Sequence, residues 1–210
     1  MANVLFVKAN DRSAEQAVSV KMYNTFLKTY KELHPEDTIR ELDLFSAELP
    51  YFGDTAISGL FKAAKGLEAT SEERQAADIV NQYLNEFLAM DKVVFTFPLW
   101  NLTVPAPLIT YISYLLQVGK TFRYTAEGLP EGLVGDKKVA LLCARGGDFS
   151  TEFAAPLEMG LNYVKNILGV LLGIKDPGIV VIEGHAKYRD RAAEIIESGL
   201  SRTAELAANF

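Results

Sequence analysis

Three short stretches carry residue types that could hold a ligand between them. Asn10-Asp11-Arg12-Ser13 precedes a helical pattern, so the free N–H groups and positive dipole end of that helix would face an anion such as a phosphate, with Arg12 able to add a charge-assisted bond. Pro98-Leu99-Trp100-Asn101-Leu102 breaks off an apolar run at a proline and delivers the only Trp of the chain, with a side-chain amide, into a loop. Ala144-Arg145-Gly146-Gly147-Asp148 offers paired glycines, where the backbone can approach a flat ligand and present N–H donors. Each has a plainer reading: Asn10 or Ser13 as a helix cap, Trp100 as a filler of a hydrophobic gap, Gly146-Gly147 as turn chemistry.

The elements that must position these loops are legible as an alternation. Strand-length apolar runs occur at Val4–Val7, Val93–Phe97, Val139–Cys143 and Ile179–Ile182, with a weaker alternating one at Thr38–Leu42. Between them, helical spacing covers Glu15–Leu33, Ser71–Ala89, Pro107–Gln117 and Glu152–Leu172, and Arg189–Ala207 closes the chain. Strands apolar throughout, separated by helices, predict an α/β doubly wound parallel sheet, five strands in the flavodoxin-like order 2-1-3-4-5, within one domain spanning residues 1–210. In that order the three loops converge at the carboxyl ends of the strands, where open sheets bind ligands. Tyr51–Gly66 and Thr121–Asp136 exceed a minimal five-strand sandwich, which points to function or an interface, with a short strand expected at Thr121–Tyr124. Tyr51–Gly66 and the apolar helix Pro107–Gln117 offer more hydrophobic surface than one open sheet covers, so a free apolar face and a homodimer are expected.

Convergence gives the three stretches a joint meaning: a phosphate-accepting helix start, an aromatic loop with an amide and a loop of peptide donors suit a phosphorylated planar heterocycle. FMN fits better than a dinucleotide, because no Gly-x-Gly-x-x-Gly follows the first strand. The net charge of −6 and the lack of a basic block argue against nucleic acid. The single Cys143, inside an apolar run, reads as an inert core thiol, and the acidic residues show no metal-ligand spacing. No run approaches a membrane span or a secretory leader, so a cytoplasmic location is expected. Gly119-Lys120-Thr121 lacks the earlier glycine of a phosphate-binding loop. His34 and His185 have no partner in motif spacing and are expected on the surface or in loops.

Phe97-Pro98-Leu99-Trp100-Asn101, Gly119-Lys120-Thr121-Phe122-Arg123-Tyr124-Thr125 and Ala144-Arg145-Gly146-Gly147, together with the opening Val7-Lys8-Ala9-Asn10 and Glu183-Gly184-His185, resemble the FMN-dependent NADH-azoreductases, also called NADH:quinone oxidoreductases, over essentially the whole chain and most closely their Bacillus-like branch. The resemblance implies a homodimer with one FMN per subunit, taking electrons from NADH or NADPH and passing them to quinones and azo dyes. It places Leu99 to Leu102 along the ring, with Asn101 and backbone amides at its polar edge, and Arg145, Gly146 and Gly147 at the other polar edge through backbone or side-chain donors; Pro98 and Ala144, which open these two loops, are counted with the cofactor-binding residues. Around the phosphate, family members often have serines where this chain has Asn10 and Ala17-Val18, and only Ser19 matches; these four residues, with backbone N–H groups in place of the lost hydroxyls, and Arg12 from the loop's own reading make the expected phosphate site. Phe122 and Tyr124 are expected to border the substrate side, and Asp148, where an apolar residue is common, to repel anionic substrates. A flavodoxin-type electron carrier is the alternative; a phospho-acceptor signalling domain fails, since the third strand ends in Phe97-Pro98 and not in an Asp.

Overall fold

A computed structural model describes all residues, 1–210. Five parallel strands, β1 (Asn3–Lys8), β2 (Thr38–Asp43), β3 (Lys92–Pro98), β6 (Lys138–Arg145) and β7 (Gly178–Glu183), form one sheet in the order β2-β1-β3-β6-β7, while β4 (Phe122–Tyr124) and β5 (Pro130–Gly132) pair antiparallel beside it. Counting only the main sheet, this is the expected 2-1-3-4-5, and the fold class is α/β, flavodoxin-like.

Side chains one residue apart on a strand point to opposite faces, and β1, β3, β6 and β7 are apolar on both, whereas the edge strand β2 carries exposed Arg40 and Glu41. Val4, Phe6, Val94, Ala140, Leu142, Val180 and Ile182 face α1 (Val18–Leu33) and α6 (Ala192–Ala208), where Met22, Phe26 and Tyr30 pack. Leu5, Val7, Val93, Phe95, Val139, Leu141 and Cys143 face α2 (Asp54–Lys65), α3 (Ser71–Leu88), α4 (Ala106–Leu115) and α5 (Gly160–Asn166). Cys143 is fully buried, and burial pushes its thiol up to about 12, so it stays protonated. No helix is long and apolar enough to cross a membrane.

Three expectations change. The helix expected from Glu15 begins at Val18, because residues 14–16 close a turn in which Gln16 and Ala17 donate to Ser13 O at 3.1 and 3.0 Å. The single helix expected over Glu152–Leu172 is broken: a 3₁₀ turn at Ala155–Leu157, α5, then a π-helical segment Ile167–Leu172. Pro156 lacks the N–H that a continuous helix needs, and the carboxylate of Glu158 instead caps α5, accepting from Leu161 N–H at 2.8 Å and Asn162 N–H at 3.2 Å. Finally, α4 is no free apolar face, since Leu108, Tyr111, Ile112, Tyr114 and Leu115 are buried in the chain's own core, and of its large apolar side chains only Ile109 is exposed.

Candidate cofactor site

The carboxyl ends of β1, β3 and β6 are tied level by backbone bonds, Ala9 N–H to Thr96 O and Leu99 N–H to Ala144 O, both 2.9 Å. The loops that leave them enclose a cleft of about 250 Å³ lined by Asn10, Arg12, Gln16, Ala17, Val18, Ser19, Pro98, Leu99, Trp100, Ala144, Gly146 and His185.

At one end lies the start of α1. Ala17 is the N-cap and no side chain caps it; the N–H groups of Val18, Ser19 and Val20 therefore find no acceptor within the chain. Asn10 and Ser19, 2% and 1% exposed, lie beneath them. Asn10 Oδ1 accepts from Arg12 N–H at 2.9 Å, and Asn10 Nδ2 donates to Ser19 Oγ at 2.9 Å. Because a backbone N–H can only donate, this pair fixes the amide orientation. The Ser19 oxygen is then an acceptor from Asn10, and its hydroxyl proton is left for something in the cleft. Asn10 thus links its own loop to the first turn of α1, and Arg12, in none of the ion pairs, lines the cleft beside it.

The ring-sized part of the cleft is walled by the loop after β3. Trp100 and Thr103 exchange backbone bonds at 2.8 and 3.0 Å, closing a two-residue turn in which Asn101 and Leu102 have φ of 49° and 68°. Asn tolerates this region; for Leu it costs about 1–2 kcal/mol. Trp100 is braced by Phe45, edge to face at 6.1 Å. Behind the turn, α5 packs so closely that a Cβ on Gly160 would lie 2.6 Å from Leu99 Cδ1, and Met159 N–H donates to Leu102 O at 3.0 Å. The N–H groups of Asn101 and Leu102 have no internal acceptor, although these two residues sit at the rim and not among those lining the cleft.

Across from it, the loop after β6 is stapled through its carbonyls: Gly184 N–H donates to Gly147 O at 2.9 Å, and Ala186 and Lys187 N–H to Gly146 O at 3.0 and 3.2 Å. Its own donors, the N–H groups of Gly146 and Gly147, are left free. The Arg145 guanidinium does not enter the cleft lining. It pairs with Glu183 at 2.9 Å and Glu158 at 3.6 Å and lies over the Phe149 ring, so only its backbone remains for a ligand. Asp148 accepts from Ser150, Tyr188 and Lys187, contacts that hold its carboxyl well below the usual range. Its charge is spent inside the loop, which removes the expected ground for repelling anionic substrates.

Phe122 is buried and Tyr124 exposed on the β4–β5 hairpin, 5.6 Å apart and edge to face. Neither is among the residues lining the cleft; the hairpin instead packs on the π-helical segment, where Gly132 meets the Leu172–Gly173 backbone. Conversely, Gln16 and His185 line the cleft, although Gln16 reads as helix and His185 as a surface or loop residue with no site role. For Gln16 no signal was available, as it lies in what reads as helix. For His185 the position just after the last strand of a converging sheet was the clue.

The chain matches the model of the flavodoxin-like fold family described as "Flavodoxin-like fold" over residues 2–206. It is 62% identical, over the whole length of both chains, to the FMN-dependent NADH:quinone oxidoreductase 1 of Bacillus cereus. Among solved structures it is similar to an azoreductase from Bacillus anthracis, at 57% identity and a TM-score of 0.96 with both chains fully covered. It is also similar to an FMN-dependent NADH-azoreductase from the same species in complex with FMN, at 27% identity and a TM-score of 0.92, covering 100% of this chain and 99% of that one. The end-to-end identity, on a sheet that aims three loops of unpaired donors into one cleft, means that the chain belongs to the family of the FMN-dependent NADH:quinone oxidoreductases and azoreductases.

Proposed function

We propose that the chain binds FMN in this cleft and transfers two electrons from NADH or NADPH to quinones and azo compounds. The observation that carries the reading is the set of N–H groups left unpaired by the fold: those of Val18, Ser19 and Val20 suit a phosphate, and those of Asn101, Leu102, Gly146 and Gly147 suit the polar edges of a flat ring. Bound there, FMN supplies the reversible two-electron chemistry that no side chain of the site possesses. The protein's part is to hold and orient. Ser19 and Arg12 bind the phosphate, Asn10 keeps both in place, Pro98 to Trp100 form a wall along the ring, and Ala144 with Gly146 closes the opposite edge.

Because Trp100 and its bracing by Phe45 close one side, donor and acceptor must use the same open side in turn, which makes the kinetics ping-pong. Heat-released cofactor should chromatograph as FMN. The yellow protein should bleach under anaerobic NADH and recover on adding a quinone, and double-reciprocal plots should be parallel. FAD, or no flavin after reconstitution, overturns the binding reading; intersecting lines with a ternary complex overturn the single-side argument. Bleaching by NADH without turnover on any quinone would favour an electron carrier.

The same reading includes a homodimer of a cytoplasmic protein. Tyr51, Phe61 and Phe153 are 88%, 56% and 86% exposed, and Met159, bonded to the Leu102 loop, is 51% exposed. Apolar surface of this extent is costly to leave wet. Met159 is held at the rim of the cleft by its bond to Leu102, so a second copy covering it would complete the substrate side that Phe122 and Tyr124 do not line within one chain. Light scattering at low micromolar concentration should give about 46 kDa, twice the chain mass of 23.2 kDa; a species of one chain mass rejects it.

A further inference from the structure

His185 stands between the Gly146–Gly147 loop and the first turn of α1. Gly184, at φ 82°, turns the chain back, and the backbone bonds from Gly184, Ala186 and Lys187 onto the loop after β6 hold the turn in place. The ring lines the cleft together with Arg12, Gln16 and Ser19, and its Nε2 lies 3.9 Å from where a Cβ on Gly146 would stand. Its Nδ1 is shut off from solvent and has no hydrogen-bond partner. With Nδ1 turned inward, Nε2, which makes no hydrogen bond within the chain, is the nitrogen left for a ligand in the cleft.

We propose that His185 is a ligand of the phosphate end of the bound FMN, and that binding draws a proton onto its ring. The inference rests on the FMN reading above and adds a residue and a proton to it. The charges around the ring decide the sign. From α1 it faces Lys21, and from the loop before α1 Arg12 lines the same cleft. From the loop after β6, Asp148 is taken by Lys187, Tyr188 and Ser150, and Arg145 is paired with Glu183. Burial first, and then Lys21, hold the imidazole below its ordinary value, so the ring is neutral near pH 7. A phosphate dianion seated on the α1 N-terminus reverses that balance, favouring the imidazolium as a donor.

The chain has only two histidines, so His34→Gln leaves one imidazole signal to follow by NMR as pH is varied, in the flavin-free protein and with FMN or riboflavin bound. Riboflavin lacks the phosphate, and the ring's own signal reports its proton independently of the phosphate's second ionisation near pH 6. With FMN the midpoint should lie about one pH unit higher than with riboflavin. His185→Gln should weaken FMN binding about tenfold at pH 6, read by flavin fluorescence, and leave riboflavin binding unchanged. Equal midpoints with the two flavins, or equal weakening of both by His185→Gln, would overturn the proposal while leaving FMN binding itself standing. A chain that binds neither flavin would overturn both readings.

Discussion

Asn10→Asp, an exchange of one NH₂ for one oxygen, is expected to weaken FMN binding at least about 100-fold while changing the melting temperature of the flavin-free chain by only a few degrees. The reason lies in the direction of two hydrogen bonds. As an amide, Asn10 accepts from Arg12 N–H and donates to Ser19 Oγ, which turns the serine proton toward the cleft. A carboxylate at the same position can only accept, so it keeps the Arg12 bond but takes the Ser19 proton for itself. The phosphate then loses a hydrogen bond to a charged group, roughly 1.5–3 kcal/mol, and meets a fixed negative charge in the floor of its own site. Together these exceed the roughly 2.7 kcal/mol that 100-fold represents. The folded chain tolerates the change because the new carboxylate lies by the positive end of α1, with both oxygens bonded. Asn10→Ala, which removes the support without adding charge, should cost nearer tenfold. Isothermal titration of flavin-free protein with FMN measures both; an Asn10→Asp dissociation constant within threefold of the parent's would show that the phosphate does not sit at the start of α1.

How far the sequence leads depends on whether the deciding interaction is local. The sheet order was legible because every central strand is apolar on both faces, which only a doubly covered parallel sheet satisfies. Once that order is granted, the convergence of the loops at Asn10, Pro98 and Ala144 follows from topology alone. What stayed hidden was set by contacts distant in sequence. Nothing in Ala14-Glu15-Gln16 opposes a helix; it is the turn on Ser13 O that delays α1 to Val18 and leaves three amides free over the cleft. Pro130–Gly132 has no strand signal, and β5 exists because Gly132 alone fits against the Leu172–Gly173 backbone, where any Cβ would lie 2.2 Å from it. His185 enters the cleft through a turn stapled to a loop nearly forty residues earlier. The break at Pro156 was open to a reading of the sequence; the use of Glu158 as a buried cap was not.

Arg145 presents the sharpest divide between a motif and its geometry. The resemblance makes it a candidate cofactor donor, whereas its side chain, 11% exposed, is the only cation between Glu158 and Glu183, whose side chains are 5% and 31% exposed. Glu158 caps α5, and Glu183 also accepts from Phe149 N–H at 3.1 Å. One guanidinium therefore ties the loop after β6, the end of β7 and the start of α5 that supports the Trp100 turn. Arg145→Met keeps the apolar stem over Phe149 but leaves the two carboxylates facing each other with no counter-charge. Breaking a buried pair in this way costs about 3–5 kcal/mol, which at about 2–4 °C per kcal/mol for a chain of this size lowers the melting temperature by roughly 6–20 °C. The flavin-free protein should show the loss in full, because the interaction is internal. Adding Glu158→Gln removes one of the opposed charges while an oxygen remains to accept from Leu161 N–H, so the double variant should recover about 1–3 kcal/mol relative to the sum of the two singles. Calorimetry on the three variants and the parent reads this directly. If the flavin-free Arg145→Met chain melts within 2 °C or so of the parent while its FMN affinity collapses, the guanidinium serves the cofactor and not the fold, and the ion pairs contribute no more than exposed ones do.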